Sequence, residues 1–293
     1  MDKLVSVIIP TKNRKEIISK SIDSVLAQTL QPFEIIVVDD GSNDGTKDFI
    51  HKKYPEVIVI RNEVSVKGAV ARNQGASFAK GEYIAFLDSD DYWLPHHLIT
   101  QLTRLQNGAD GVCSEFFLVG NDQDKRHIKF DRTILKGNIV NKIFSLKTFD
   151  CRTSTFVFRK KDFDEVKFDE NMEKHQDWDL AVNFADQKNF VCSYNPSVCI
   201  DVDHGGERMS HKLNHNATFY FLNKNKGKLD QNSIYFFCLK NYYYCLQNND
   251  NVAKKYLQYI KENHIKGSAL NIVLLRAIIL YGDFVNLKSS FRR

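Results

Sequence analysis

Ala79–Pro95, AKGEYIAFLDSDDYWLP, places three carboxylates directly after a short apolar run. The run Tyr83–Leu87 combines aromatic and β-branched residues, which predicts a buried strand. Asp88, Asp90 and Asp91 then stand at the carboxyl edge of a sheet, where open α/β sheets bind ligands. Crowded carboxylates repel one another unless they are neutralised, and their hard oxygens suit Mg²⁺ or Mn²⁺ carrying a diphosphate. The alternative is an ordinary acidic turn before a helix, which a bare Asp-x-Asp pattern more often is.

The composition is that of a globular protein. The 293 residues are 43% hydrophobic and 26% charged, with a formal net charge of +5 and no long basic block, which argues against nucleic-acid binding. The six cysteines form no Cys-x-x-Cys pair and no zinc spacing with histidine, so we expect free thiols of a reducing compartment. No apolar run approaches the roughly 20 residues of a membrane span, and Leu4–Ile9 is too short for a signal peptide. We therefore expect a cytoplasmic protein.

The first part of the chain alternates between apolar β-branched runs and segments with helical spacing. The predicted strands are Val5–Ile9, Glu34–Val38, Val57–Arg61 and Tyr83–Leu87. Helices are expected between them, the second over Asn43–Tyr54 with Ser42 or Asn43 as its candidate cap. Such alternation predicts an α/β fold with a mainly parallel sheet and helices on both faces.

Polar residues flank these predicted strands. Thr11-Lys12-Asn13 follows the first strand, Asp39-Asp40 follows the second, and Lys67 and Arg72 precede the fourth. A carboxylate can accept the imide N–H of uracil or a ribose hydroxyl, and lysine and arginine can offset the charge of a diphosphate. Taken singly, these residues are more often turns and surface charges.

Four stretches change that reading when they are taken together: Val5–Arg14 (VSVIIPTKNR), Ile36–Thr46 (IVVDDGSNDGT), Ala71–Ala79 (ARNQGASFA) and Gly81–Tyr92 (GEYIAFLDSDDY). In order and spacing they resemble the nucleotide-binding half of family 2 glycosyltransferases. The resemblance is strong over residues 4–115 and weaker over residues 150–210. It implies a GT-A fold with a Rossmann-like sheet, a nucleotide-diphospho-sugar donor that is usually a UDP-sugar, a divalent cation and inversion at the anomeric carbon.

The resemblance also assigns the donor-binding residues, which are Pro10, Thr11, Lys12, Asn13, Asp39, Asp40, Lys67, Arg72, Asp88 and Ser89. Thr11, Lys12 and Asp40 would form the nucleoside pocket, and Asp88 and Ser89 would face the ribose and the diphosphate.

The metal ligand implied by the resemblance is Asp90, with Asp88 beside it, for Mn²⁺ or Mg²⁺. Two neighbouring acids have alternative roles. Asp39 could brace its loop, and Asp91 could cap the following helix or reach the metal.

The second informative stretch is Asn171–Phe184, NMEKHQDWDLAVNF. An inverting transfer needs a carboxylate that removes the proton of the acceptor hydroxyl. Asp177 matches the base of the similar family. Gln176 stands where that family often has Glu, and it should leave the pKa of the base lower than a neighbouring Glu would. Trp178 could be a sugar platform or a core residue, and Asp179 is expected to cap a helix.

Farther on, His204 and Arg208 in a glycine-containing segment resemble a mobile loop that contacts the donor diphosphate or metal. Helices are predicted over Ser233–Leu246, Val252–His264 and Ser268–Phe291. This basic, amphipathic ending could lie on an anionic membrane, or it could cap the first domain or a second subunit in a homodimer.

These observations predict three regions: residues 1–115 for donor binding and residues 116–212 for acceptor binding within one GT-A domain, and residues 213–293 as a helical region. The expected function is transfer of a hexose or N-acetylhexosamine from a UDP-sugar to a glycan acceptor. By resemblance of size and layout, that acceptor is a lipid-linked repeat unit of a bacterial surface polysaccharide such as O-antigen or capsule, used at the inner face of the cytoplasmic membrane. The alternatives are a UDP-sugar hydrolase and a non-catalytic subunit that binds nucleotide sugars.

Overall fold

The computed structural model describes residues 4–120, 124–130, 150–202, 214–248, 250–269 and 271–278. The strands are β1 (Val5–Thr11), β2 (Glu34–Asp40), β3 (Ile58–Asn62), β4 (Tyr83–Phe86), β5 (Tyr92–Trp93), β6 (Gly111–Val119), β7 (Lys125–Ile128), β8 (Val157–Arg159) and β9 (Phe190–Asp201). The helices are α1 (Ile18–Leu26), α2 (Thr46–Lys53), α3 (Gly68–Phe78), α4 (His97–Gln106), α5 (Lys160–Val166), α6 (Gln176–Gln187), α7 (His215–Asn225), α8 (Gln231–Gln247) and α9 (Ala253–Glu262). Residues 269 and 271–278 are also helical.

The strands of the described residues form one sheet in the order β3-β2-β1-β4-β8-β6-β9-β5, and β7 pairs with β6. The first four strands are parallel throughout. Strand β8 is antiparallel to β4 and β6, whereas β6 and β9 are parallel. The predicted α/β fold with a mainly parallel sheet is confirmed. The regions predicted for donor binding (residues 1–115) and acceptor binding (residues 116–212) share this sheet, because the predicted boundary at residue 115 falls within β6.

The strand order reverses at β1, since β2 and β3 lie on one side of it and β4 on the other. Ligands bind at such a switch point, in the crevice outside the carboxyl ends of the strands. Thr11 ends β1, and Asp88 follows β4 after one intervening residue. The topology therefore brings the first and fourth loops to the same crevice.

Two packed groups hold the edges of this crevice. Helix α1 buries Ile18, Ile22 and Val25, whose spacing places them on one helical face. On the other side, the ring of Phe158 in β8 lies 4.6 Å from that of Phe184 in α6. This aromatic contact fixes α6 against the sheet and so positions the first turn of the helix.

The carboxyl-terminal helices pack on α6. Phe221 of α7 and Phe237 of α8 lie 6.3 and 5.8 Å from the ring of Trp178. Asp179 is buried and accepts a hydrogen bond from Asn225 Nδ2 of α7 at 2.8 Å. Asp179 therefore anchors α7, and the expectation that it caps a helix is wrong. The described carboxyl-terminal helices bury aromatic side chains against the first domain.

A hydrogen-bond network joins these helices to one another. His215, Cys245 and Asp250 each place a potential ligand atom within 4.8 Å of the others, a grouping that the sequence spacing does not reveal. The nitrogens of His215 bond to Tyr256 Oη at 2.8 Å and to Asp250 Oδ2 at 2.7 Å. Burial, with the nearby charge of Asp250, raises the pKa of Cys245 to about 11, so the thiol stays protonated. In the part of the chain that the structure describes, no helix has the length and hydrophobicity needed to cross a membrane.

Candidate active site

A cavity of about 800 Å³ opens at the carboxyl edge of the sheet. Residues from both predicted regions, 1–115 and 116–212, line it. Among its lining residues are the predicted site residues Pro10, Thr11, Lys12, Asp40, Lys67, Arg72, Asp88, Ser89, Asp90 and Asp177. The structure therefore brings most of the predicted donor-binding residues and the predicted base into one cavity.

Two acidic residues of the loop after β4, Asp88 and Asp90, have arginine partners. Arg72 Nη2 donates to Asp88 Oδ1 at 2.5 Å, and Arg14 Nη2 lies 3.7 Å from Asp90 Oδ2. The Asp88 backbone N–H also donates to Ser154 Oγ at 3.1 Å, which ties the loop after β4 to the segment before β8. The loop is thus held in place by charge compensation and by a backbone contact.

Asp91 is the buried member of this cluster. Burial and the charges of Asp90 and Asp88 raise the pKa of Asp91 well above its ordinary value. Its Oδ2 accepts a hydrogen bond from Ser154 Oγ at 2.5 Å. Helix α4 begins only at His97, so the expectation that Asp91 caps the following helix is wrong.

The chemistry of the cluster fits a divalent cation. Asp88 and Asp90 offer hard carboxylate oxygens, which Mg²⁺ and Mn²⁺ prefer, and two such ligands leave positions for phosphate oxygens. The two carboxylates are near enough for their charges to act together on Asp91. Arg72 and Arg14 supply the compensating positive charge in this structure.

Asp40 and Asp39 have different environments. Asp40 lines the cavity, and its Oδ2 accepts hydrogen bonds from Ser65 Oγ at 2.6 Å and from the Lys67 backbone N–H at 3.1 Å. Burial alone would raise the pKa of Asp40. These hydrogen bonds, with others from the same loop, outweigh that effect and hold the pKa below its usual value. Asp39 is fully buried and accepts a hydrogen bond from Arg61 Nη1 at 3.1 Å. Asp39 therefore braces β2 against β3 and is not among the residues that line the cavity.

Asn13 faces the neighbouring loop. It has a left-handed φ of 52°, its backbone N–H donates to Ser42 Oγ at 2.8 Å, and its Oδ1 accepts from the Asn43 N–H at 2.9 Å. Asn13 thus joins the loops after β1 and β2 and is not among the lining residues. His204 and Arg208 lie outside the described residues, and their roles stay predictions.

Asp177 lies in the first turn of α6. Its Oδ1 accepts a hydrogen bond from the Trp178 backbone N–H at 2.9 Å. Burial raises the pKa of Asp177 to about 6, and the nearby positive charge of Arg152 limits the rise. The carboxylate is therefore mostly ionised at neutral pH, yet it is a stronger base than an ordinary aspartate.

Trp178 packs among aromatic residues at the start of α6, and its role as a sugar platform stays a prediction. Its ring stacks on His175 with centroids 4.9 Å apart, and its Nε1 donates to Asp150 Oδ1 at 3.3 Å. It also lines the cavity. Burial and the charge of Lys174 lower the pKa of His175 to about 3, so the stacked imidazole is neutral.

Two side-chain contacts join the predicted donor-binding region (residues 1–115) to the predicted acceptor-binding region (residues 116–212). Lys67 Nζ lies 2.5 Å from Glu173 Oε1, and Arg72 Nη1 donates to Gln176 Oε1 at 2.9 Å. The first contact holds the loop before α3, and the second holds α3, against the segment that carries Asp177.

Sequence reasoning missed four cationic lining residues, Arg14, Arg152, Lys174 and Lys240. Arg14 ends the first quoted motif, so a signal was present. Arg152 and Lys240 stand outside every motif and reach the cavity only through tertiary packing.

Known proteins are similar to this chain in sequence and in fold. The sequence model of glycosyl transferase family 2 matches residues 6–167. The amylovoran biosynthesis glycosyltransferase AmsB of Erwinia amylovora is 29% identical over 78% of this chain and 80% of its own length. WfaP of Escherichia coli, named a UDP-Glc:alpha-D-GlcNAc-diphosphoundecaprenol beta-1,3-glucosyltransferase, is 46% identical over 34% of this chain. That match spans 40% of WfaP, less than half of its length.

The crystal structure of S. aureus TarS 1-349 in complex with UDP-GlcNAc superposes with a TM-score of 0.64, at 20% identity, over 80% of this chain and 70% of that one. This similarity confirms the GT-A fold. The family model covers more than half of the residues, and the motifs it includes build the cavity. The chain therefore belongs to glycosyl transferase family 2.

Proposed function

We propose that the protein is an inverting, metal-dependent glycosyltransferase that transfers a hexose or an N-acetylhexosamine from a UDP-sugar to a glycan acceptor. The observation that carries the proposal is that Asp177, with its raised pKa, lines the same cavity as Asp88 and Asp90. One cavity thus offers a base for the acceptor and a charged site for the diphosphate of the donor.

The donor would lie along the first and fourth loops. Thr11, Lys12 and Asp40 would hold the nucleoside, and Thr11 Oγ1 is a buried hydroxyl with no hydrogen-bond partner among the described residues. Arg72 would help to offset the diphosphate charge. Asp88 and Asp90 would hold Mn²⁺ or Mg²⁺, which supplies charge stabilisation for the departing UDP.

The chemical step follows from the position of the base. Asp177 accepts the proton of an acceptor hydroxyl while that oxygen forms a bond to the anomeric carbon of the donor sugar. The bond from the anomeric carbon to the UDP oxygen breaks on the opposite face, and the configuration inverts. A base with a pKa of about 6 suits this role, because it is ionised at neutral pH and still draws the proton effectively.

The acceptor is proposed from the relatives. AmsB is named for amylovoran biosynthesis, and WfaP for transfer to a sugar on a diphosphate-linked lipid. We extend this class to the present chain: a lipid-linked repeat unit of a surface polysaccharide, glycosylated at the inner face of the cytoplasmic membrane.

The test uses the purified chain with UDP-glucose, UDP-galactose and UDP-N-acetylglucosamine. A thermal-shift panel with and without Mn²⁺ first identifies the donor, because a ligand of the folded state raises its apparent stability. N-acetylglucosamine α-diphosphate with a short alkyl chain then serves as the acceptor. We expect transfer that stops when EDTA is added and a product with inverted anomeric configuration by NMR.

The other functional classes give different results in the same assay. Release of free sugar without acceptor would indicate a hydrolase. Binding of UDP-sugar without turnover on any acceptor would indicate a non-catalytic subunit. Retention of configuration would contradict the role given to Asp177.

A further inference from the structure

The cavity has a second set of cationic residues near the base. Arg152 precedes β8, and Lys240 belongs to α8 of the carboxyl-terminal region. Both line the cavity with Asp177, as does Lys174. The charge of Arg152 acts on Asp177, and the charge of Asp150 acts on Lys240. These side chains therefore lie near one another.

The donor does not account for these residues. At the donor end, Arg14, Arg72 and Lys67 each pair with a carboxylate. Near the base, Arg152 Nη2 donates to Asp150 Oδ2 at 2.7 Å. Lys240 forms no salt bridge with a carboxylate of the described residues, although the charge of Asp150 acts on it.

Cationic side chains are concentrated near the base. Arg152, Lys174 and Lys240 line the cavity with Asp177. Glu173, which also lines it, pairs with Lys67, and Asp150 pairs with Arg152. Burial lowers the pKa of Lys240, which means that its surroundings disfavour the ammonium ion unless an anion is added. A cavity wall that carries these cationic groups therefore favours an anionic acceptor.

We propose that Arg152 and Lys240 form a phosphate-binding subsite that holds the phosphoryl group attached to the acceptor sugar. The proposal rests on the proposed transferase function and names its acceptor class, a sugar linked through phosphate. Bound there, the phosphate orients the sugar so that its hydroxyl reaches Asp177. Arg152 can present two parallel donors to phosphate oxygens, and Lys240 adds a mobile ammonium ion.

This subsite gives the carboxyl-terminal helices a role in acceptor binding. Lys240 reaches the cavity because α8 packs on α6, where Phe237 contacts Trp178 at 5.8 Å. The aromatic contact that anchors the region thus also positions its lysine.

The decisive variant is Lys240→Gln, compared with the wild type on two acceptors that differ in whether a diphosphate joins the sugar to the alkyl chain. One is N-acetylglucosamine α-diphosphate with a short alkyl chain, and the other is the neutral alkyl glycoside of the same sugar. We expect the KM for the diphosphate acceptor to rise at least about tenfold, as for a lost charge-assisted hydrogen bond. The KM for the neutral acceptor and for the UDP-sugar should stay unchanged.

Two further variants control the result. Lys240→Arg keeps the charge and should retain the wild-type preference for the diphosphate acceptor. Lys254→Gln removes an exposed lysine of α9 outside the cavity lining and should change neither KM. An equal loss on both acceptors, or no loss on either, would overturn the subsite.

A binding experiment separates this proposal from the proposed function. The wild type and Lys240→Gln are saturated with UDP and Mn²⁺ and titrated calorimetrically with the alkyl diphosphate sugar. Weaker binding by the variant supports the subsite even if no transfer is seen, whereas equal binding rejects it even if transfer occurs.

Discussion

Gln176 Oε1 accepts a hydrogen bond from Arg72 Nη1 at 2.9 Å, and Nη2 of the same guanidinium donates to Asp88 Oδ1 at 2.5 Å. Arg72 thereby joins the loop after β4 to the first turn of α6, which carries Asp177. Glutamine accepts this bond without adding a charge. Of these two partners, only Asp88 carries a charge that balances that of Arg72. The residue directly before Asp177 is therefore uncharged.

Gln176→Glu tests this arrangement through the pH profile. The wild-type kcat/KM should fall below about pH 6, because Asp177 accepts a proton only when ionised. A carboxylate at position 176 adds negative charge beside Asp177 and competes with Asp88 for Arg72, so the pKa of the base rises. We expect the acid limb to move to higher pH. Gln187→Glu, at the exposed end of α6, should leave it in place, and an unmoved limb in Gln176→Glu would contradict the electrostatic coupling.

Asp177→Asn separates chemistry from donor binding. The amide keeps the shape of the side chain but cannot accept the proton, so kcat should fall by about 10²–10⁴-fold, the usual contribution of a general base. Calorimetric affinity for the UDP-sugar should stay at the wild-type value. Asp186→Asn changes a half-exposed carboxylate on the same helix and should retain activity. Wild-type turnover by Asp177→Asn would remove Asp177 from the mechanism.

Local patterns in the sequence were sufficient to predict much of this site. Alternating apolar runs fix the order of strands and helices, and a polar residue directly after a buried strand must lie at the carboxyl edge of the sheet. The sequence therefore predicts that Thr11 and Asp88 lie at the same edge of the sheet, and both line the cavity. The position of Asp177 required the family resemblance, because its helix reaches the cavity through aromatic contacts such as Phe158 with Phe184.

Other details depend on contacts that the sequence does not encode locally. Asn13 has a left-handed backbone, and its N–H donates to Ser42 Oγ, a contact that the sequence does not predict; its role in donor binding stays a prediction. The Ser42 hydroxyl, a candidate cap of α2, accepts this bond. Helix α2 begins at Thr46, whose N–H donates to Asp44 Oδ1 at 3.0 Å. The approach of Lys240 to the cavity depends on packing between helices far apart in the chain.

Asp90→Ala tests the cation site. Removing this carboxylate should abolish transfer and should also remove the dependence of UDP affinity on Mn²⁺, because the cation loses its predicted ligand. Calorimetric titration of UDP with and without Mn²⁺ measures the second effect. Asp164→Ala, at a partly exposed carboxylate paired with Lys160, should behave as the wild type in both assays. An unchanged Mn²⁺ effect in Asp90→Ala would reject Asp90 as the ligand.

Gly75→Ala tests how closely α3 packs on the sheet that supports the donor loops. A Cβ at Gly75 would lie 2.6 Å from Ile8 Cγ2 and 3.1 Å from Val38 Cγ2, both on fully buried residues. Overpacking costs about 1–3 kcal/mol, whereas alanine favours a helix over glycine by only about 1 kcal/mol. We expect a lower urea midpoint with an unchanged slope. Gly227→Ala, where a Cβ meets nothing within 4 Å, should not lower it. Equal midpoints for both variants would mean that α3 shifts freely on β1 and β2.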